Sequence, residues 1–315
     1  MADLREFKRG LDEEALSAVD KFFASSIGQA IKNASDINIC IRDNYINVYW
    51  HGCSILKYEP LAKSNRFLIH KKYLPSQQRI APNANYANMT LNSDESDLVC
   101  DACGFKYRGS IIEKPNSNLL GYVESDGEKK ALTTFLRDHR EEFFLLDLEI
   151  AFSRMSNSKK GEERPVANRV DMVLIDASGS VPQLQLVEVK LDTDPRLRST
   201  KTPEIVDQME RYKAFLSKSG RAIRDSYRQV SGNYLSLGLE HMVQPSADSA
   251  RVLKEFCTQG KLDPIPYLLI IPQDKAKVAT SMFGRDGKDH LACLATWLRD
   301  QCCGFHKLSM KRPAG

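Results

Sequence analysis

The 315-residue sequence predicts a protein of the α/β (α+β) class. Two runs rich in Val, Leu and Ile, residues 169–175 and 183–190, predict neighbouring strands, and the turn-forming residues between them predict a hairpin. A helical pattern at 127–140 precedes the hairpin, and a second one at 202–216 follows it. Helices and strands therefore follow one another along this part of the chain, and this order sets the predicted class.

The N-terminal region adds a helix and strands of its own. An apolar stripe along residues 11–33 predicts one amphipathic helix. Alternating apolar residues on both sides of Asp43 predict a hairpin, and residues 54–58 and 66–70 predict further strands. The polar, Asn-rich residues 75–98 predict a long loop.

The predicted elements divide into two domains. Residues 1–115 form a smaller α+β module, which we expect to bind a substrate feature or a protein partner. Residues 114–127 contain Pro, Asn, Gly and Asp and indicate the boundary. The second domain, 124–315, adds a helical pattern at 247–258 and a buried strand at 264–271.

Composition limits the classes of function. Apolar residues make up 42% of the chain and charged residues 27%, which is typical of a globular protein. The net charge of +4 permits a nucleic-acid partner without requiring one. No apolar run is long enough to span a bilayer and no secretory signal is visible, so we expect no membrane partner. Eight cysteines without a regular framework fit reduced thiols and a cytoplasmic location.

Asp171, Glu188 and Lys190 are the residues that point to chemistry. Side chains alternate along a strand, so Glu188 and Lys190 share one face, where a carboxylate from the neighbouring strand can meet them. Two carboxylates and a lysine at the end of an apolar hairpin are costly to bury unless something compensates them. A hard cation such as Mg²⁺, which takes oxygen ligands, would do so.

Asp171 followed by Glu188-Val189-Lys190 resembles the Asp-(X)n-Glu-X-Lys signature of the PD-(D/E)XK nuclease superfamily. The order of helix, strand and hairpin agrees with the core order of that superfamily. Gln208 and Tyr212 resemble the Gln-X-X-X-Tyr pair of its recombination and repair exonuclease branches. The resemblance covers only about residues 124–220, and Val170 stands where the name-giving proline would be. It implies a restriction-endonuclease-like mixed β-sheet flanked by helices.

The resemblance also implies hydrolysis of phosphodiester bonds with Mg²⁺ or Mn²⁺, and DNA is the favoured substrate. Asp171 and Glu188 would then ligate the metal, and Lys190 would orient the attacking water or polarise the phosphate. Glu128, near the start of a predicted helix, is a candidate ligand for the metal, although a carboxylate there can also simply favour the helix. Glu149, in the strand before the hairpin, is a competing acid.

Further residues are candidates for contacts with nucleic acid. Gln208 and Tyr212 lie four residues apart, so they share a helix face and could contact a nucleotide or brace the hairpin. Arg169, Lys159 and Lys160 are candidate phosphate contacts, although arginines that flank strands and isolated lysine pairs are also ordinary surface features.

Several alternatives stay open at the level of the sequence. The resemblance favours a nuclease in bacterial restriction or anti-phage defence, and cutting of both strands would favour a homodimer. A catalytically inactive nuclease-fold protein that binds DNA or acts as a scaffold is the main alternative. A zinc-dependent interaction module around Cys100 and Cys103 ranks last, because a structural zinc site needs four ligands.

Overall fold

The structure, a computed structural model, describes residues 7–34, 37–50, 53–61, 65–70, 86–89, 128–151, 169–197, 204–271 and 304–307. The chain divides into two compact units. The first unit consists of residues 1–7, 148–224 and 260–315, and the second of residues 8–147 and 225–259. The predicted boundary lies outside the described residues, so the division into 1–115 and 124–315 stays a prediction.

Six α-helices and eleven strands form the described part of the chain. The helices are α1 (Glu13–Ala24), α2 (Ser26–Lys32), α3 (Glu128–Asp138), α4 (Glu204–Ser236), α5 (Glu240–Val243) and α6 (Ser249–Gln259). The strands are β1 (Ile37–Ile41), β2 (Ile46–Trp50), β3 (Cys53–Glu59), β4 (Arg66–His70), β5 (Tyr86–Met89), β6 (Phe144–Ala151), β7 (Arg169–Asp176), β8 (Gln183–Leu191), β9 (Lys261–Leu262), β10 (Tyr267–Ile271) and β11 (Gly304–Lys307). The predicted α/β class, with a mixed sheet and flanking helices, is confirmed.

Two sheets organise these elements. The strands β1 to β5 form an antiparallel sheet in chain order. The second sheet has the order β11-β10-β8-β7-β6, and the short β9 pairs with β8. Its central strand, β8, runs antiparallel to β7 and parallel to β10, so this sheet is mixed.

The strand β8 changes its partners along its length. Its first half, Gln183–Val187, pairs with Met172–Asp176 of β7. Its second half, from Val187 to Leu191, pairs with Tyr267–Ile271 of β10. Eight of the nine residues of β8 are buried, and among them the charged Glu188 and Lys190 are unusual.

The second unit begins with two helices where the sequence predicts one. Ser25 adopts extended dihedral angles, with φ −73° and ψ 162°, and its hydroxyl accepts a hydrogen bond from the N–H of Gly28. The residue therefore ends α1 and caps α2, because a serine oxygen satisfies a donor that a helix start leaves unpaired. The single helix predicted over 11–33 is wrong at this point.

Aromatic side chains join α1 to the sheet of the second unit. The ring of Phe22 stacks on that of Tyr58 with centroids 4.6 Å apart, and it lies 5.6 Å from the ring of Phe67. The predicted hairpin forms as β1 and β2, and Asn44 takes a positive φ of 58° in the turn. The loop predicted over 75–98 is wrong in part, because β5 lies within it.

The helix predicted over 202–216 is confirmed but extends much further, since α4 runs for 33 residues. Its C-terminal part belongs to the second unit and binds segments that are distant in sequence. There the N–H of Leu11 donates to Oδ1 of Asn233 at 2.8 Å, and the hydroxyl of Tyr234 contacts the carbonyl oxygens of Ile39 and Leu146. Each of these buried polar groups therefore has a hydrogen-bond partner, as is usual in a protein interior.

Candidate active site

The strands of the mixed sheet bring the predicted site residues to one end. Since β7 and β8 are antiparallel, the start of β7 lies beside the end of β8. Asp171 lies near the start of β7, and Glu188 and Lys190 lie near the end of β8. The first turns of α4 add Gln208 and Tyr212. These five residues, all in the first unit, are called the carboxylate cluster below.

Asp171 lies where the β7–β8 ladder ends. Its Oδ2 accepts a hydrogen bond from the N–H of Val189 at 2.8 Å, so a side chain replaces the backbone partner at this point. The Nζ of Lys190 lies 3.8 Å from the same oxygen. Burial and the nearby charge of Glu188 raise the pKa of Asp171 to about 7.

Glu188 is held on both of its oxygens. Its Oε1 accepts from Nζ of Lys190 at 2.5 Å and from Nε2 of Gln208 at 2.8 Å. Its Oε2 contacts the hydroxyl of Tyr212 at 2.9 Å. The residue is only 3% exposed, so these contacts replace the water that an ionised carboxylate would otherwise need.

Lys190 is the cation within the cluster and is only 2% exposed. Besides its contacts with the two carboxylates, its ammonium donates to the carbonyl oxygen of Val189 at 2.6 Å. An ammonium group offers three N–H donors, and these contacts orient it toward the carboxylate side of β8. The side chain is thus fixed at the place where Asp171 and Glu188 approach each other.

Gln208 and Tyr212 lie one helical turn apart and contact each other, with Nε2 of Gln208 2.6 Å from the hydroxyl oxygen of Tyr212. The Tyr212 hydroxyl also donates to the carbonyl oxygen of Arg169 at the start of β7. Burial and the charge of Glu188 raise the pKa of Tyr212, so its hydroxyl keeps its proton at neutral pH. Among the two predicted roles, this geometry supports bracing of the hairpin.

Arg169 and Glu149 form a pair beside the cluster. A guanidinium nitrogen of Arg169, which is largely exposed, lies 3.7 Å from Oε2 of Glu149. Glu149 has a φ of 50°, in the left-handed region that residues other than glycine seldom adopt. Its charge also contributes to the raised pKa of Asp171. The competing acid of the sequence therefore lies close to the cluster.

The other predicted site residues have different outcomes. Glu128 is the first residue of α3 and belongs to the second unit, so its predicted metal role stays a prediction. Lys159, Lys160, Cys100 and Cys103 lie outside the described residues. Within the described ranges, no group of three or more His, Cys, Asp or Glu side chains is arranged to hold a metal ion.

A second cluster of buried charges, in the second unit, was missed by the sequence reasoning. Oδ2 of Asp147 accepts from Arg42 at 2.6 Å, from Tyr227 at 2.8 Å and from Arg9 at 3.4 Å. Nη2 of Arg42 donates to the hydroxyl of Tyr49 at 3.0 Å. We call this set the arginine cluster. Its sequence signal was weak, since a single aspartate in an apolar strand has no partner nearby in sequence.

Asp194 and Arg196, which follow β8, were also missed. Nε of Arg196 lies 3.0 and 3.1 Å from the two oxygens of Asp194. The available signal was the turn-forming Asp-Thr-Asp-Pro after a strand, but such a turn is common and does not by itself indicate a site.

Comparisons with protein families, with curated proteins and with solved structures gave no match to this chain. None of the helices in the described ranges has both the length and the apolar character that crossing a membrane requires. The function must therefore be argued from the site residues.

Proposed function

We propose that the chain is a metal-dependent nuclease that hydrolyses phosphodiester bonds in DNA. The observation that carries the proposal is the meeting of Asp171, Glu188 and Lys190 at one end of the mixed sheet, where the Lys190 ammonium lies 3.8 Å from Asp171 and 2.5 Å from Glu188. The meeting of two acidic groups and one lysine supports the hypothesis drawn from the Asp-(X)n-Glu-X-Lys spacing.

The donor set fits a hard divalent cation. Asp171 and Glu188 supply carboxylate oxygens, the ligands that Mg²⁺ and Mn²⁺ prefer, and one or two carboxylates are enough when water and phosphate complete the shell. Burial and the charge of Glu188 raise the pKa of Asp171 despite the ammonium of Lys190, and a bound cation would favour the ionised form of Asp171. A bound Mg²⁺ would neutralise charge on the phosphate and lower the pKa of an attacking water.

The residues of the chain have separate tasks in this proposal. Lys190 places an ammonium between the two carboxylates, where its positive charge would attract a phosphate group of the substrate. Gln208 and Tyr212 hold Glu188 in one orientation, and Tyr212 ties the start of β7 to α4. Arg169, two residues before Asp171, has a largely exposed guanidinium 3.7 Å from Glu149, and such a group can contact the DNA backbone.

The proposal is tested on the purified full chain with supercoiled plasmid, linear duplex, single-stranded DNA and RNA. We expect cleavage of DNA with Mg²⁺ or Mn²⁺ and none with EDTA. Asp171→Asn and Lys190→Met should each lower the cleavage rate roughly 100-fold or more, since each removes a group that acts on the reacting atoms. Asp248→Asn and Lys254→Met, at exposed positions of the second unit, should cleave like the wild type.

Two results would contradict the proposal. Full cleavage by both Asp171→Asn and Lys190→Met would place the chemistry elsewhere. Binding of DNA by the wild type without cleavage of any substrate, with either metal, would favour the inactive DNA-binding or scaffold protein. Cleavage of RNA alone would keep the reaction and change the substrate. A role in restriction or anti-phage defence, a homodimer, and a partner of the N-terminal module stay predictions.

A further inference from the structure

The segment after β8 is folded tightly against the end of the sheet that holds the carboxylate cluster. The N–H of Asp194 donates to the carbonyl oxygen of Leu191 at 2.9 Å, and the N–H of Leu197 donates to that of Asp194 at 3.1 Å. Leu197 is buried and closes a short 3-10 helix over Pro195–Leu197. The turn therefore has a fixed backbone close to Lys190 in sequence.

Within this turn, Asp194 holds Arg196 in one orientation. The carboxylate of Asp194 contacts Nε of Arg196 at 3.0 and 3.1 Å, Nη2 at 2.5 Å and the backbone N–H at 2.8 Å. The Asp194 side chain is 9% exposed, but that of Arg196 is 42% exposed. A mostly buried acid thus fixes a guanidinium that faces solvent, which lowers the entropy cost of a further contact.

The charges around the turn agree with this geometry. Burial acts to raise the pKa of Asp194, but its hydrogen bonds with Arg196, and the charges of Arg196 and Lys190, hold it below its usual value. Asp194 therefore stays ionised at neutral pH and keeps Arg196 oriented. The turn also follows the carboxylate cluster closely along the chain, since Asp194 comes four residues after Lys190.

We propose that Arg196 binds a backbone phosphate of DNA next to the bond that is cut. A planar guanidinium matches the geometry of phosphate oxygens, and Arg196 lies at the same end of the sheet as Asp171 and Lys190. A phosphate contact positions the duplex without reading its sequence. This inference rests on the proposed function, because it assigns a second contact to the same substrate.

The test compares Arg196→Ala, Arg196→Lys and a matched control in the full chain. Arg251 is a suitable control, because it is 58% exposed and is also held by acids, Asp248 and Glu255, but it belongs to the second unit. Binding of a fluorescent DNA duplex is measured by anisotropy at several salt concentrations with Ca²⁺ present, and cleavage is measured with Mg²⁺. Arg196→Ala should weaken binding about tenfold and reduce the salt slope by about 1.

The kinetics of cleavage distinguish the loss of a phosphate contact from a general loss of active protein. Arg196→Ala should raise KM with little change in kcat, because the contact is made equally in the bound and transition states. Arg196→Lys should keep the salt slope but lose about threefold in affinity, since it keeps the charge and loses the planar fork. Arg251→Ala should behave like the wild type in both measurements.

The outcomes distinguish this inference from the proposed function. An unchanged salt slope and KM in Arg196→Ala, in a protein that still cleaves DNA, would overturn the role of Arg196 and leave the nuclease intact. A wild type that neither binds nor cleaves DNA would overturn both. If Arg196→Ala does not fold, Arg196→Lys decides: affinity equal to that of the wild type would overturn the inference.

Discussion

The carboxylate cluster and the arginine cluster both bury charged groups, but their charges are balanced in opposite ways. In the arginine cluster, one carboxylate that is 0% exposed meets two guanidinium groups and a tyrosine hydroxyl. In the carboxylate cluster, Asp171 and Glu188 share one ammonium, and Glu149 adds negative charge nearby. In the arginine cluster, cations of the same unit balance the charge of the carboxylate. In the carboxylate cluster, the acids outnumber the ammonium that they share.

This difference shows that a buried acid is not in itself a sign of function. Asp147 is buried more deeply than Asp171, yet its partners give it the character of a structural ion pair. For Asp171, burial and the charge of Glu188 outweigh the attraction of Lys190, so its pKa rises to about 7. Substitutions at four residues, Arg42, Asp171, Tyr212 and Glu149, test this contrast.

The largest effect on stability should follow loss of the main partner in the arginine cluster. Arg42→Met leaves Asp147 buried with weaker partners, which should lower the free energy of unfolding by about 3–5 kcal/mol. Urea denaturation of the full chain measures the change. The control is Arg66→Met, which removes a more exposed arginine paired with Glu59 and should cost less than about 1 kcal/mol. Equal losses in the two variants would remove the contrast between buried and exposed pairs.

In the carboxylate cluster, removal of a charge should have the opposite sign. The pKa of Asp171 is about 7 in the folded state against 3.8 as its usual value, so the neutral form is favoured by folding. Its contribution to stability is complete below pH 3.8 and is lost as pH rises through about 7. Metal-free Asp171→Asn should therefore be more stable than the wild type at pH 8, by as much as about 4 kcal/mol, since each pKa unit is worth about 1.4 kcal/mol.

Urea denaturation of Asp171→Asn at pH 4, 6 and 8 with EDTA measures this effect. The gain in stability should shrink to about 0.5 kcal/mol at pH 4, where Asp171 is protonated in the folded wild type and nearly half protonated in the unfolded one. Asp248→Asn should show no such trend. A gain at pH 8 that persists unchanged at pH 4 would mean that Asp171 does not carry the excess charge.

A smaller loss should follow from Tyr212→Phe, which removes the hydroxyl that contacts Glu188 and the Arg169 carbonyl. Since buried acceptors then lose a partner, stability should fall by about 1–3 kcal/mol, and cleavage should fall as well. Tyr267→Phe is the control, because its hydroxyl contacts Asp263 in the same unit but outside the cluster. It should lose stability without loss of cleavage; a similar loss of cleavage would show that Tyr212 has no special role.

The smallest effect is expected at Glu149, whose φ of 50° strains its backbone. Asn tolerates this region better than Glu, so Glu149→Asn should be more stable than Glu149→Gln by up to about 1 kcal/mol. Both variants remove the charge, so both should lower the pH at which Asp171 titrates. Unfolding curves and the pH dependence of stability measure the two effects separately, and equal stabilities would exclude strain at this residue.

The parts of the molecule that depend on local patterns could be predicted from the sequence. The period of two along β8 correctly placed Glu188 and Lys190 on a common face, and the four-residue spacing placed Gln208 and Tyr212 together. Most strands and helices followed from apolar periodicity, whereas the mixed sheet was implied only by the family resemblance. The functional roles of these residues do not follow from the spacing, and the experiments described above test them.

The parts that depend on distant partners could not be predicted. Arg42 and Asp147 are 105 residues apart, and no local pattern states which buried acid an arginine will meet. The break at Ser25 was hidden because the apolar stripe continues through it, although a serine can end one helix and cap the next. The full length of α4 was not predicted either, because the C-terminal part of this helix contacts segments that are distant in sequence.

The hydrogen bond between Leu11 and Asn233 has a consequence for biosynthesis. The two residues are 222 positions apart, so a ribosome that adds about 5–20 residues per second needs roughly 10–45 s after Leu11 emerges before its acceptor exists. Throughout that delay, the N-terminal strands and helices lack the segment that completes their unit. The N-terminal part of this unit therefore stays incomplete until residues 225–259 have been synthesised, and chaperones can bind it during that time.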